Sequence, residues 1–209
     1  MRLVLASNNQ AKLAELGTLL APLAIELVAQ SRLGIGEAAE PHVTFVENAL
    51  AKARHAARHA RAAAIADDSG LCVDALGGAP GVASAHFAAV EQHATDREVH
   101  RRAQDAANNA LLVERLRGAV ERSARFVSTL VAVRSADDPE PLIAVGRWHG
   151  DVLDAPRGTG GFGYDPLFLV PELGQTFAEL GVGTKGELSH RARAMAAIKP
   201  QLLAYLRRL

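Results

Sequence analysis

Cysteine is nearly absent from this 209-residue chain: Cys72 stands alone, so no internal disulfide can form and a reducing compartment is the expected setting. No Cys/His constellation surrounds Cys72 in sequence, so it reads as a small buried hydrophobe. Net charge is absent too, with 23 basic residues against 23 acidic ones. A protein built to hold a nucleic-acid polymer would be more strongly basic, whereas this balance still permits a small anionic ligand on a local basic cluster. No apolar run reaches membrane-spanning length, and Leu3-Val4-Leu5-Ala6 is too short for the apolar part of a signal peptide. The chain is therefore expected to be soluble and cytoplasmic, with no membrane partner. Aromatic side chains are scarce, at 4%.

What the chain does have is a globular composition, 49% hydrophobic and 22% charged. Its length suits one domain over residues 1–209, or two lobes sharing a sheet without a separable linker. Residues 3–6 read as a buried strand, followed by Leu13, Leu16, Leu19 and Leu20 at helical spacing. Residues 25–28 suggest a second short strand. Residues 31–43, with Gly34, Gly36 and Pro41, read as loop. Thr44 with Glu47 is a capping box that predicts an alanine-rich helix to about Arg61. On that helix His55 and His59 form an i,i+4 pair, read as a solvated face. Residues 63–66 predict a strand ending at Asp67-Asp68-Ser69-Gly70. Thr95 with Glu98 predicts a second capped helix to about Arg117, and residues 126–133 and 142–148 a hairpin around Asp137-Asp138-Pro139. Ser189 is a good N-cap for a last helix, which Pro200 should kink or split. Strands alternating with helices, then a hairpin, predict an α/β fold with a mixed sheet.

The densest pattern is Gly158-Thr159-Gly160-Gly161-Phe162-Gly163-Tyr164-Asp165-Pro166, followed by apolar Leu167-Phe168-Leu169-Val170. A dinucleotide-binding turn needs a helix after its glycines, and a strand is expected here. Two scarce rings in one glycine loop suggest a flat ligand stacked on an aromatic face. Ser7-Asn8-Asn9-Gln10-Ala11-Lys12, between strand and helix, offers a hydroxyl, amides and helix N-terminal N–H groups to a phosphate, with Lys12 as a point charge. Consecutive strand residues point to opposite faces, so one of Asp67 and Asp68 should face the site. There a hard cation such as Mg²⁺ would take one or two carboxylates, waters and phosphate oxygens. Lys185-Gly186-Glu187-Leu188-Ser189-His190-Arg191 places a lysine, an imidazole and a guanidinium at the start of the last helix.

In this order, and with Thr44-Phe45-Val46-Glu47-Asn48-Ala49 and Gly77-Gly78-Ala79-Pro80-Gly81, these motifs resemble the inosine triphosphate pyrophosphatase family, most closely its bacterial members, over essentially the whole chain. The resemblance implies a long twisted mixed sheet with flanking helices, two lobes around a central substrate cleft, and a homodimer. It also implies Mg²⁺-dependent hydrolysis of XTP, ITP and dITP to the monophosphate and pyrophosphate, which clears deaminated purines from the nucleotide pool. Carried over by position, Ser7, Asn8, Asn9, Gln10, Ala11 and Lys12 bind the triphosphate. Asp68 becomes a metal ligand and proton acceptor, with Glu40 as the second metal ligand. Lys12 and Lys52 stabilise charge on the departing pyrophosphate, and Ser69 touches substrate. Phe162, Gly163, Tyr164 and Asp165 clamp the nucleoside, while Lys185, His190 and Arg191 complete base and phosphate recognition. Arg191, or N–H groups near His190, would donate to the C6 keto oxygen of hypoxanthine or xanthine and meet the amino group of adenine donor to donor. A catalytically silent nucleotide sensor should lack Asp68 or these lysines, and all are present.

Overall fold

The elements follow in the order β1 (Arg2–Leu5), α1 (Gln10–Leu20), β2 (Glu26–Ala29), α2 (Phe45–Ala60), β3 (Ala64–Val73), α3 (Arg97–Arg115), β4 (Ser123–Val133), β5 (Leu142–Val152), β6 (Phe168–Val170), β7 (Gln175–Thr176), α4 (Val182–Leu188) and α5 (His190–Leu206). They are taken from a computed structural model that describes residues 1–90 and 97–207. The strands form one sheet in the order β2-β1-β3-β4-β5-β6-β7. β1 lies parallel to β2 and β3, whereas β6 runs antiparallel to both β5 and β7. The expected α/β fold with a mixed sheet is borne out. The chain divides into two compact units, Met1–Ser69 with Ser128–Arg147 and Gly186–Leu209, and Gly70–Val127 with Trp148–Lys185. Among the described residues no helix is long and apolar enough to cross a membrane.

In the first unit the pleat sorts the core onto two faces. Leu3 and Leu5 of β1 join Ile65, Leu130 and Ala132 against Leu16 and Leu20 of α1 and Met195, Ile198 and Leu202 of α5. Val4, Ala64, Ala66, Val131 and Val133 face the other way, onto Ala49, Ala53, Ala56 and Ala57 of α2. Helices on both faces explain why Leu3, Val4 and Leu5 of β1 are all apolar. A fully buried Leu or Ile contributes roughly 1.5–3 kcal/mol, so these faces fix the helices more firmly than propensity does. Side-chain caps set the helix starts: Asn9 accepts from Lys12 N at 3.1 Å, Thr44 from Glu47 N at 3.3 Å and Ser189 from Ala192 N at 3.1 Å. A side chain at Gly146 would strike the backbone of His190 and Ala194, so the bare glycine lets β5 lie against the first turn of α5.

Two expectations change. β3 does not end at residue 66 but continues to Val73, which puts Asp67 and Asp68 in mid-strand. α5 passes through Pro200 as one helix, so no split occurs. Thr95, expected to cap α3, lies outside the described residues.

The second unit has a different core. Phe126, Trp148, Phe168 and Phe177 pack with ring centroids 4.6–5.3 Å apart, joined by Leu112 and Leu116 of α3. The scarce aromatics are thus concentrated here.

Candidate active site

The alternation of β3 splits the adjacent carboxylates between two clusters in the first unit. Asp67 shares the face of Ile65 and meets α1 and α5, whereas Asp68 shares the face of Ala66 and meets α2. Each carboxylate therefore has its own cations, and the like charges do not compete for one site.

Asp67 is 1% exposed. Its Oδ2 lies 2.9 Å from Lys12 Nζ and 3.3 Å from Arg191 Nε, and it accepts from Ser69 Oγ at 3.1 Å, while Oδ1 accepts from Ser128 Oγ at 2.6 Å. Burial alone would raise this carboxyl, but Lys12, Arg191 and the Ser128 hydroxyl hold it far below the usual carboxylate range. Burial outweighs Asp67 at Lys12, whose pKa is lowered, with Arg191 and Lys52 pushing the same way. Arg191 also donates from Nη1 to Glu15 Oε2 at 2.9 Å and from Nη2 to Ser69 Oγ at 3.2 Å. Its guanidinium is thereby committed to Asp67, Glu15 and Ser69.

The second cluster is more acidic. Lys52 Nζ lies 2.8 Å from Glu40 Oε2 and 2.7 Å from Asp68 Oδ1, one cation between two carboxylates. Asp68 Oδ2 is buried without a partner among the described residues. Burial pushes the Asp68 carboxyl up to about 6, against Lys52 and Lys12 and with help from Glu40. Burial would raise Glu40 too, but the hydrogen bond and charge of Lys52 hold it low. Lys52 stays charged, because Asp68 and Glu40 outweigh its desolvation. Excess negative charge, an unsatisfied carboxylate oxygen and a second carboxylate fit a hard divalent cation that completes its shell with water and phosphate oxygens. No group of three His, Cys, Asp or Glu side chains that could hold a metal occurs among the described residues, so such a cation would need those outside ligands.

The turn Ser7-Asn8-Asn9 joins β1 to α1. Ser7 Oγ accepts from Asn9 N at 3.2 Å, which with the Asn9 cap stiffens the turn. Asn8 Nδ2 donates to Glu37 Oε1 at 3.0 Å, and Asn8 Oδ1 is buried without a partner among the described residues. Gln10 and Ala11 open α1, with Gln10 exposed. His190, 4% exposed, opens α5 beside Arg191.

In the second unit the glycine loop gives its rings different parts. Phe162 is half-buried. Tyr164 belongs to the apolar core and donates from its hydroxyl to Ser84 O at 2.9 Å, and burial together with Asp105 raises its pKa. Asp165 Oδ2 accepts from Phe162 N at 3.3 Å and from Lys185 Nζ at 2.9 Å. A Cβ at Gly161 would collide with that carboxylate, and the residue sits at φ +78°, so glycine is required there. Gly163 is held on both sides, its N–H donating to Asp105 Oδ2 at 3.0 Å and its carbonyl accepting from Asn109 Nδ2 at 2.9 Å.

Against the sequence expectations, Lys12, Ser69 and Arg191 converge on Asp67, while Lys52 and Glu40 converge on Asp68. Lys185 belongs instead with Asp165. Sequence reasoning gave no separate part to Asp67, Glu15, Ser128, Glu37 or Asn48. A run of two carboxylates inside an apolar segment was the available signal for Asp67, since buried charge needs partners.

The profile of the Ham1 family matches residues 3–201 of this chain. The chain belongs to the Ham1 family. The family resemblance read from the sequence is borne out. A dITP/XTP pyrophosphatase of Methylibium petroleiphilum is 67% identical over 194 residues, covering 93% of each chain, and one of Leptothrix cholodnii is 64% identical over 197 residues, again covering 93% of each. Among solved structures, a HAM1 protein from Coxiella burnetii superposes with a TM-score of 0.86 at 40% identity, covering 98% of this chain and 99% of that one. A nucleoside-triphosphatase, dITP/XTP pyrophosphatase, from Mycobacterium abscessus gives a TM-score of 0.73 at 39% identity, covering 96% and 100%. This Ham1 chain is thus similar to them along nearly its whole length.

Proposed function

We propose that this Ham1 protein hydrolyses XTP, ITP and dITP to the monophosphate and pyrophosphate with Mg²⁺, as a cytoplasmic homodimer that clears deaminated purines. The observation that carries the reading is the Lys52 ammonium held between Glu40 and Asp68, with Asp68 Oδ2 unsatisfied, in a chain two-thirds identical to a dITP/XTP pyrophosphatase. Glu40 and Asp68 would hold Mg²⁺, which when bound neutralises charge on the phosphate oxygens.

The chain's own residues supply the rest. Lys12, anchored by Asp67, and Lys52 face charge that grows as pyrophosphate leaves, so they stabilise the transition state more than the ground state. Burial raises the Asp68 carboxyl above its ordinary value in the metal-free site, which favours it as the acceptor of the attacking water's proton. The Ser7 to Lys12 turn takes the triphosphate, and Ser69 lies against it. On the second unit, Phe162 offers a ring to the purine, Tyr164 and Gly163 hold the loop, and Asp165 with Lys185 provides an acceptor and a donor for the base.

Two pieces of data test this reading. Incubation with ITP and Mg²⁺ should release IMP and pyrophosphate in equal amounts, and chelation of the metal should stop it. Orthophosphate as the first product, or turnover indifferent to chelator, would refute it. Sedimentation giving only a 22.1 kDa species at micromolar concentration would refute the dimer.

A further inference from the structure

Lys12, Lys52, Asp68 and Arg191 sit on helices or a strand, but Glu40 lies in residues 35–42, which have no regular secondary structure. A carboxylate on irregular backbone serves a metal only if something holds that backbone to within about 0.5 Å. The structure contains such a holder. Asn48, 2% exposed, accepts from His42 N at its Oδ1 (3.0 Å) and donates from Nδ2 to His42 O (3.1 Å), gripping one residue as a neighbouring strand would. One turn on, Lys52 reaches Glu40 at 2.8 Å. One further turn on, His55 Nε2 lies 3.1 Å from Gly36 O. A carbonyl only accepts, so Nε2 carries the proton there.

Positions 48, 52 and 55 form one stripe of α2 at i, i+4 and i+7, and they meet residues 42, 40 and 36 in turn. The segment therefore runs antiparallel along the helix with one contact per turn, and Glu40 is its middle rung. The alanines on the adjoining stripe, Ala49, Ala53, Ala56 and Ala57, fix α2 to the sheet, so its position is transmitted to the segment.

We propose that Asn48 and His55 are positioning residues that hold Glu40 in place for a divalent cation. This rests on Glu40 being a metal ligand. Neither side chain need touch substrate, and both act by removing the freedom of the backbone on either side of the carboxylate. Partners that orient ligands typically change metal affinity or activity about 10–100-fold when removed.

The test uses the full chain with Asn48→Ala, His55→Ala and Glu40→Gln. His55 is only partly buried, so its truncation keeps the proposal testable if Asn48→Ala fails to fold. Amide hydrogen exchange of residues 36–43, without metal or nucleotide, should accelerate in both alanine variants. The Mg²⁺ concentration for half-maximal pyrophosphate release should rise about tenfold or more, with kcat at saturating Mg²⁺ falling far less. Mn²⁺ binding followed by electron paramagnetic resonance should weaken in parallel. If Glu40→Gln raises the metal requirement but neither alanine variant does, the positioning role is overturned. A uniform fall in kcat with unchanged metal requirement would overturn it too, since that marks general loosening. An unchanged requirement in Glu40→Gln overturns the metal assignment itself.

Discussion

Replacing Asp67 by asparagine keeps the side chain's shape and its hydrogen bond from Ser128, but removes the anion that lies 2.9 Å from Lys12 and 3.3 Å from Arg191. Both cations would then remain largely buried beside a neutral amide. Deleting one partner of a buried ion pair costs about 3–5 kcal/mol, because the charge left behind is uncompensated. Domains are stable by only about 5–15 kcal/mol, so this is a large share of the total. At about 2–4 °C per kcal/mol for a chain of this size, the melting temperature should fall by roughly 6–20 °C. Urea unfolding at pH 7 measures it directly. Lys12 and Arg191 outweigh burial and hold the native Asp67 below its ordinary range, so its contribution is complete above the unfolded carboxylate pKa of about 3.9. It is lost as pH falls through the depressed native value, so acid should narrow the gap between wild type and variant. A difference under about 1 kcal/mol at pH 7, the scale of an exposed ion pair, would show that Asp67 does not anchor these cations.

Asp68→Asn should fold and lose Mg²⁺-dependent turnover, since an amide cannot replace the ionised ligand. The Asp68 carboxyl is pushed up to about 6 by burial, so the stability of the wild type relative to Asp68→Asn should fall as pH rises from about 4 through 6, read as the difference between their thermal melts. The sequence offers Arg191, or N–H groups near His190, as donors to the C6 keto oxygen. With its guanidinium committed to Asp67, Glu15 and Ser69, Arg191→Ala should lower kcat/KM for ITP and ATP in parallel, and a selective loss of ITP would restore the base-reading role. Phe162→Ala should lower both substrates together through lost stacking. Tyr164→Phe should cost about 1 kcal/mol of stability, the net worth of its bond to Ser84 O, with little change in KM.

Local signals in the sequence were read correctly where the physics is local. Thr44 and Ser189 cap their helices because a cap involves only the next three residues. The apolar runs at 3–6 and 168–170 became strands because their burial shows in composition. Polarity misled at Asp67 to Gly70, which looked like a turn but is the middle of a buried strand, because the partners that make it tolerable come from Lys12, Ser128 and Arg191 far along the chain. The same distance hid the division of the two aspartates. Strand alternation foretold opposite faces, but which cations waited on each face depended on how α1, α2 and α5 pack. Tyr164 likewise read as a ligand-facing ring because composition cannot distinguish a ring offered to a ligand from one packed into a core.

The most direct test is a steady-state comparison of XTP, ITP and dITP with ATP and GTP at saturating Mg²⁺, with pyrophosphate as the measured product. A buried donor or acceptor facing the wrong purine edge costs about 1–3 kcal/mol, so kcat/KM for the deaminated purines should exceed that for ATP by about 5- to 150-fold. Equal kcat/KM for ITP and ATP, or pyrophosphate released from none of them, would contradict the account.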